Sequence, residues 1–244
     1  MAKAVKYLFV TMAIVELIAE LMHWREFIFV LRLFLLPCLL LYYVLAKGEV
    51  WRPMYKLMVG AIFFSYVGDV SLLLTPEHPA DLYILGIPKS KYLFIAGIAG
   101  YMVSHFYFIG AYRQSVMGSN VPSLFTRNKW AFAPVLLYGL VMASIVVPKV
   151  YADAEKSVAT LPVLIYTTVL CSMVAFAINR QGRVPGQSFW WVMVGSLLFL
   201  FSDSLIAINF LAFPGLVPEP GFCIMSTFLA AEFLIAEGMI KTKG

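Results

Sequence analysis

The chain has 244 residues, of which 62% are hydrophobic and only 13% charged, and its mean hydropathy is +0.88. A soluble domain carries about a quarter charged residues, so this composition excludes one and points to a chain embedded in lipid. The formal net charge of +5 then serves orientation in a membrane and does not mark a nucleic-acid surface.

A spanning helix needs about 20 predominantly apolar residues to cross about 30 Å of hydrocarbon. Eight runs meet that demand, at approximately 5–22, 27–45, 57–74, 92–111, 130–147, 158–178, 188–211 and 222–240. Lys3 and Lys6 precede an apolar stretch within the first run, as they would in a secretory signal. Glu16 and Glu20 interrupt it, however, and no small-x-small cleavage site follows, so it reads as the first membrane helix. The second run follows the tight turn "HWRE" and contains Arg32 near its start. The third, "FFSYVGDVSLLL" at its end, holds Asp69, with no lysine or arginine within ten positions on either side. His105 lies in the fourth, Ser202, Asp203 and Asn209 in the seventh, and Glu232 near the middle of the eighth. Cys38, Cys171 and Cys223 sit in apolar runs with neither disulfide nor metal-ligand spacing, and no metal site is expected.

Backbone groups cannot go unpaired in lipid, so the expected fold is all-α: a bundle of eight transmembrane helices forming one domain over 1–244. The lysines and arginines set its orientation. Twelve fall on the side of the termini (Lys3, Lys6, Lys47, Arg52, Lys56, Arg113, Arg127, Lys129, Arg180, Arg183, Lys241 and Lys243) against five opposite (Arg25, Lys89, Lys91, Lys149 and Lys156). Both termini are therefore expected in the cytoplasm.

An ionisable side chain within a membrane helix costs several kcal/mol unless it faces protein or water, which makes Asp69 and Asp203 the leading site candidates. Measured from the predicted cytoplasmic helix starts they lie ~18 Å and ~22 Å along, at similar depth. They are expected to face one another. The bland alternative is a hydrogen-bonded carboxyl that holds helices together, and His105 and Asn209 read more naturally that way. Ser65 and Tyr66 share the face of Asp69 and are placed to hydrogen-bond it. Glu16 and Glu20 either line a polar entrance or, as the structural reading has it, pair with Arg32. Phosphate loops, dinucleotide-binding glycines, the nucleophile elbow and zinc spacing are all missing from the sequence. A retinal site is excluded because every lysine lies in a loop or at a helix end.

At "GDVSLLL", "FLFSDSLIAIN" and "IMSTFLAAE" the chain resembles the YhhN family, whose characterised animal members are lysoplasmalogenases. The likeness runs from the third helix to the eighth. It takes in Phe94, Gly97 and His105 of "FIAGIAGYMVSHFYF" and Tyr166 and Met173 of "IYTTVLCSM". Two positions depart from the pattern: Glu232 stands where the family has glutamine, and "RLFLLP" lacks the lysine often found before the proline.

The resemblance implies hydrolysis of the vinyl ether of a lysoplasmalogen, bearing choline or ethanolamine, to a fatty aldehyde and a glycerophospho-head-group. Asp69 and Asp203 would be catalytic, with Tyr66, His105, Tyr166, Ser202, Asn209, Ser226 and Glu232 supporting the pocket. The residues suit the chemistry, since a vinyl ether is protonated at carbon and the resulting oxocarbenium ion is captured by water. Two carboxyls in a low-dielectric site resist joint ionisation and can share the proton required. No cofactor is expected, and the partners are a lysophospholipid substrate and membrane lipids, with no nucleic acid. The expected location is the cytoplasmic membrane in a bacterium or the endoplasmic reticulum in a eukaryote. The rival reading is a proton-coupled transporter or flippase for a small lipid or hydrophobic solute, with the same aspartates as proton relays. Such proteins usually break their helices with Gly or Pro near the midplane, whereas the prolines here lie mostly in loops or near helix ends.

Overall fold

The computed structural model describes residues 1–48, 52–75, 83–84, 87–153 and 156–242. Lys243 and parts of three predicted connections lie outside these residues. Nine α-helices occur among them: α1 (Ala2–Leu21), α2 (Arg25–Lys47), α3 (Pro53–Leu73), α4 (Lys89–Ser115), the one-turn α5 (Leu124–Arg127), α6 (Ala133–Ala152), α7 (Thr160–Ile178), α8 (Gly186–Ile206) and α9 (Pro220–Ile240). All eight predicted runs are helical. The only sheet among the described residues is a pair of two-residue antiparallel strands, β1 (Tyr83–Ile84) and β2 (Ile87–Pro88).

Among the described residues, seven helices are long and apolar enough to cross a membrane: α2, α3, α4, α6, α7, α8 with its extension to Ala212, and α9. The chain is a multi-pass membrane protein. The first predicted span, α1, falls outside that set because it carries Lys3, Lys6, Glu16 and Glu20 within twenty residues. Exposed leucines such as Leu136, Leu137 and Leu140 on α6 present the apolar surface that lipid demands.

The chain forms two compact units, Met1–Phe108 and Ile109–Gly244, with the boundary inside α4. In the first unit the "HWRE" turn closes α1 onto α2. His23 adopts a left-handed conformation (φ 55°), which lets the Trp24 N–H reach back to the Ala19 carbonyl at 3.0 Å and cap α1. Lipid tails are as apolar as leucine, so helices here associate through close packing of small residues and through hydrogen bonds. Helices α3 and α4 use both. A Cβ on Gly100 would lie 2.8 Å from the Gly68 nitrogen, and a Cβ on Gly97 would lie 3.3 Å from the Gly68 carbonyl oxygen. One turn away, Ser104 donates to the Ala61 carbonyl at 2.8 Å and receives the Ser65 hydroxyl at 2.8 Å.

In the second unit α8 and α9 approach equally closely, for a Cβ on Gly195 would meet the Ala231 carbonyl at 2.9 Å and one on Gly238 the Ser188 carbonyl at 3.0 Å. Arg180, just beyond α7, is fully buried in this unit. It donates from Nε to Ser115 Oγ at 2.9 Å and from Nη2 to Ser188 Oγ at 2.8 Å and Thr242 Oγ1 at 2.9 Å. Those hydroxyls pass their own protons to the Tyr112 and Gly238 carbonyls near the ends of α4 and α9. Helix C-termini carry partial negative charge, so this relay gives a buried cation a counter-field without a carboxylate.

Candidate active site

Asp203 is 8% exposed and lies 17 residues past the start of α8. The Tyr166 hydroxyl, on α7, donates to its Oδ2 at 2.6 Å. Its two neighbours anchor the same turn to other helices. Ser202 donates to the Ile224 carbonyl of α9 at 3.0 Å, and Ser204 receives the Tyr138 hydroxyl of α6 at 2.7 Å while donating to Leu200. The Ser-Asp-Ser tripeptide is thereby tied to α6, α7 and α9, which fixes the carboxyl in position. Beyond it α8 widens into a π-helical segment, Ala207–Ala212. Such segments are uncommon and occur often at functional sites. Asn209, in that segment, is buried and accepts the Val217 N–H at 3.1 Å, which closes the following loop.

Asp69 is 4% exposed and lies 16 residues past the start of α3, so both aspartates stand at nearly the same offset along their helices. The expected bond from Ser65 is not made, because Ser65 spends its proton on Ser104 of α4. Tyr66 is half-buried and makes no hydrogen bond among the described residues. The charge that answers Asp69 comes from α2: Arg32 is attracted by Asp69 as well as by Glu16 and Glu20. Arg32 donates from Nε to Glu16 Oε1 at 3.0 Å and from Nη2 to Glu20 Oε1. The expected pairing of the α1 glutamates with Arg32 is therefore present, and Asp69 lies within electrostatic reach of it.

His105 is fully buried on α4 and its Nδ1 bonds the Tyr101 carbonyl. A carbonyl only accepts, so Nδ1 carries a proton. Glu232 is fully buried on α9, within electrostatic reach of Tyr112, whose hydroxyl pairs with Ser196 of α8 at 3.0 Å. Ser226 bonds only its own helix, donating to the Cys223 carbonyl at 3.1 Å. Of the expected residues, the structure joins Tyr166 to Asp203 and sets Ser202 beside it. Ser226 and Asn209 serve backbone carbonyl and amide groups. No group of three or more His, Cys, Asp or Glu side chains with metal-binding geometry occurs among the described residues.

Sequence reasoning missed the roles of four residues. The link from Arg32 to Asp69 joins residues 37 positions apart and leaves no local signature. Tyr138 and Ser204 were legible only as ordinary aromatic and polar positions. Arg180 stands in the polar stretch "NRQG" and reads as a loop charge, although the chain buries it.

Comparison with known proteins agrees with the resemblance. The family model described as "YhhN family" matches residues 27–239. Two relatives, both named lysoplasmalogenase and coming from Mycobacterium bovis and Mycobacterium tuberculosis, are 29% identical over 199 residues. The match covers 80% of this chain but 66% of each relative, slightly under two thirds of their length. No solved structure matches. With seven apolar spans among its described residues and a family match over most of its length, the chain belongs to the YhhN family.

Proposed function

We propose that the protein is a lysoplasmalogenase-type hydrolase acting within the membrane, with Asp69 and Asp203 as its acid/base pair. The observation that carries this reading is the burial of both carboxyls in apolar spanning helices, 4% and 8% exposed, at the motif positions of the resemblance. A membrane helix tolerates an aspartate at a cost, and two at matching offset point to use. The relatives named lysoplasmalogenase support the substrate class.

In this reaction one carboxyl gives its proton to the outer carbon of the vinyl ether, and the double bond supplies the electron pair. The oxocarbenium ion so formed is stabilised by the remaining negative charge. Water adds to it and loses a proton to a carboxylate. The hemiacetal then collapses to a fatty aldehyde and the free glycerol hydroxyl, with one water consumed and the catalytic proton returned. Tyr166 orients Asp203 throughout, and Ser202 ties the same turn to α9. Helix α1 makes the eighth crossing, and both termini lie in the cytoplasm.

Incubating purified protein with 1-alkenyl-, 1-alkyl- and 1-acyl-lysophospholipids tests the reading. Aldehyde release from the alkenyl lipid alone is expected. Release of fatty acid from the acyl lipid without aldehyde from the alkenyl one would refute it.

A further inference from the structure

In unit Met1–Phe108 three carboxyls, Glu16 and Glu20 of α1 and Asp69 of α3, act on a single guanidinium, Arg32 of α2. Glu16 is fully buried. Its Oε1 accepts the Arg32 Nε–H at 3.0 Å, whereas its Oε2 is buried with no hydrogen-bond partner among the described residues. An anionic oxygen left in that state costs more than the about 1–3 kcal/mol of a neutral polar atom. A proton on Oε2 removes the charge, and Oε1 has no room for one because the Arg32 N–H points at it. The charge count agrees, since one guanidinium cannot balance three carboxylates and neighbouring like charges resist joint ionisation. Glu20, with a side chain 12% exposed one residue from the end of α1, is the member that water can keep ionised.

Glu16 also matches Asp69 in depth. Consecutive helices joined by short connections alternate in direction, so α1 and α3 end on the same side. Glu16 lies five residues from the end of α1 and Asp69 four from the end of α3, about 7.5 Å and about 6 Å in from that side. Arg32, seven residues into α2, starts about 10 Å in and reaches back to both glutamates. The charged groups that act on Glu16 are Arg32, Glu20 of its own helix and Asp69. Helix α4, packed on α3, adds the buried His105, whose Nδ1 is bonded to the Tyr101 carbonyl.

We propose that Glu16 is the proton reserve of Asp69: it carries a proton on Oε2 and passes it, directly or through a water, to the Asp69 carboxylate once Asp69 has protonated the vinyl ether. The assignment rests on the hydrolase reading of Asp69 and adds to it the residue that recharges the acid. The transfer leaves Glu16 a carboxylate and Asp69 an acid, and Arg32, already bonded to Glu16 Oε1, meets the new charge. The water that captures the oxocarbenium ion gives up one proton. That proton returns to Glu16, so none is gained or lost over a cycle. Glu16 acts through Asp69 and is a positioning residue for its proton.

Two measurements test this. Infrared spectra at neutral pH should contain the carbonyl stretch of a protonated carboxyl that shifts when glutamate is isotopically labelled. Glu16→Gln should remove a glutamate-sensitive component that persists in Glu232→Gln, and in Glu16→Asp that component should follow an aspartate label instead. The second measurement is the time course of aldehyde release from a 1-alkenyl-lysophospholipid. Glu16→Gln should release one aldehyde per folded protein in a burst and then turn over at least about tenfold more slowly, short of the about 100-fold expected for loss of the acid itself. The wild type and Glu16→Asp should show no burst. A merely structural role slows the first turnover as much as the later ones, and that result would overturn the reserve. A glutamate-sensitive band undiminished in Glu16→Gln, or none in the wild type, would overturn it as well. If Glu16→Gln fails to fold, Glu16→Asp decides, and a component that does not follow the aspartate label counts against the reserve. Should the wild type release no aldehyde, the hydrolase reading falls, and the infrared band alone decides whether Glu16 holds the proton.

Discussion

Gly100→Ala tests the packing that places Asp69. The added Cβ would sit 2.8 Å from the Gly68 nitrogen, 3.0 Å from the Gly68 Cα and 3.2 Å from the Phe64 carbonyl oxygen. These are backbone atoms of α3, so no side-chain rotation relieves the overlap and α3 must move away from α4 by about half an ångström. Overpacking of this kind costs about 1–3 kcal/mol. For a chain of this size each kcal/mol shifts Tm by about 2–4 °C, so thermal unfolding in detergent should fall by about 2–12 °C. Asp69 follows Gly68 directly and moves with it. Misplacement by 1 Å can cost about 100-fold in rate, so half that shift predicts a fall of about tenfold in aldehyde release by the folded variant. Gly186→Ala is the control, because it opens α8 with nothing within 4 Å of its added Cβ, and it should change neither readout appreciably. Wild-type stability and rate in Gly100→Ala would refute the close approach of the two helices.

Three further outcomes are expected. A reporter fused after Gly244 should respond as cytoplasmic, and a periplasmic or lumenal response would overturn the eight-crossing topology. Tyr166→Phe removes the 2.6 Å donor to Asp203 and should lower kcat/KM by about tenfold or more, since hydrogen bonds to charged groups are worth about 1.5–3 kcal/mol. An unchanged kcat/KM would mean that the phenol does not orient the carboxyl. Glu232→Gln restores the glutamine of the family pattern and should retain substantial activity; complete loss in a folded variant would show that the carboxyl itself is essential.

Most of the helical fold was legible because lipid leaves the backbone no alternative: eight apolar runs became eight helices, with ends displaced by a few residues. The α1–α2 pairing was legible too, since Glu16 and Glu20 share a face one turn apart and Arg32 lies on the next helix. Ser65 shows where helical spacing stops informing. It placed the hydroxyl on the face of Asp69 but said nothing of Ser104, arriving from α4 to take the bond. Tyr166 was suggested only by its spacing in the family resemblance, because its contact with Asp203 spans 37 residues. The π-helical segment after Asp203 has no periodic signal, since a six-residue widening changes neither composition nor hydropathy. Arg180 counted only towards orientation in the sequence, because its partners Ser115, Ser188 and Thr242 come from separate parts of the chain.

The acid pair is tested most directly by the rate of aldehyde release from a 1-alkenyl-lysophospholipid in Asp69→Asn, Asp203→Asn and the double variant. Asparagine keeps the shape of aspartate while removing the transferable proton and the negative charge. Each folded single variant should lose at least about 100-fold, the lower range for general acid–base catalysis. Residues that act as one unit are strongly non-additive, so the double variant should be scarcely slower than either single one. Near wild-type rates in both single variants, measured on folded protein, would contradict the account.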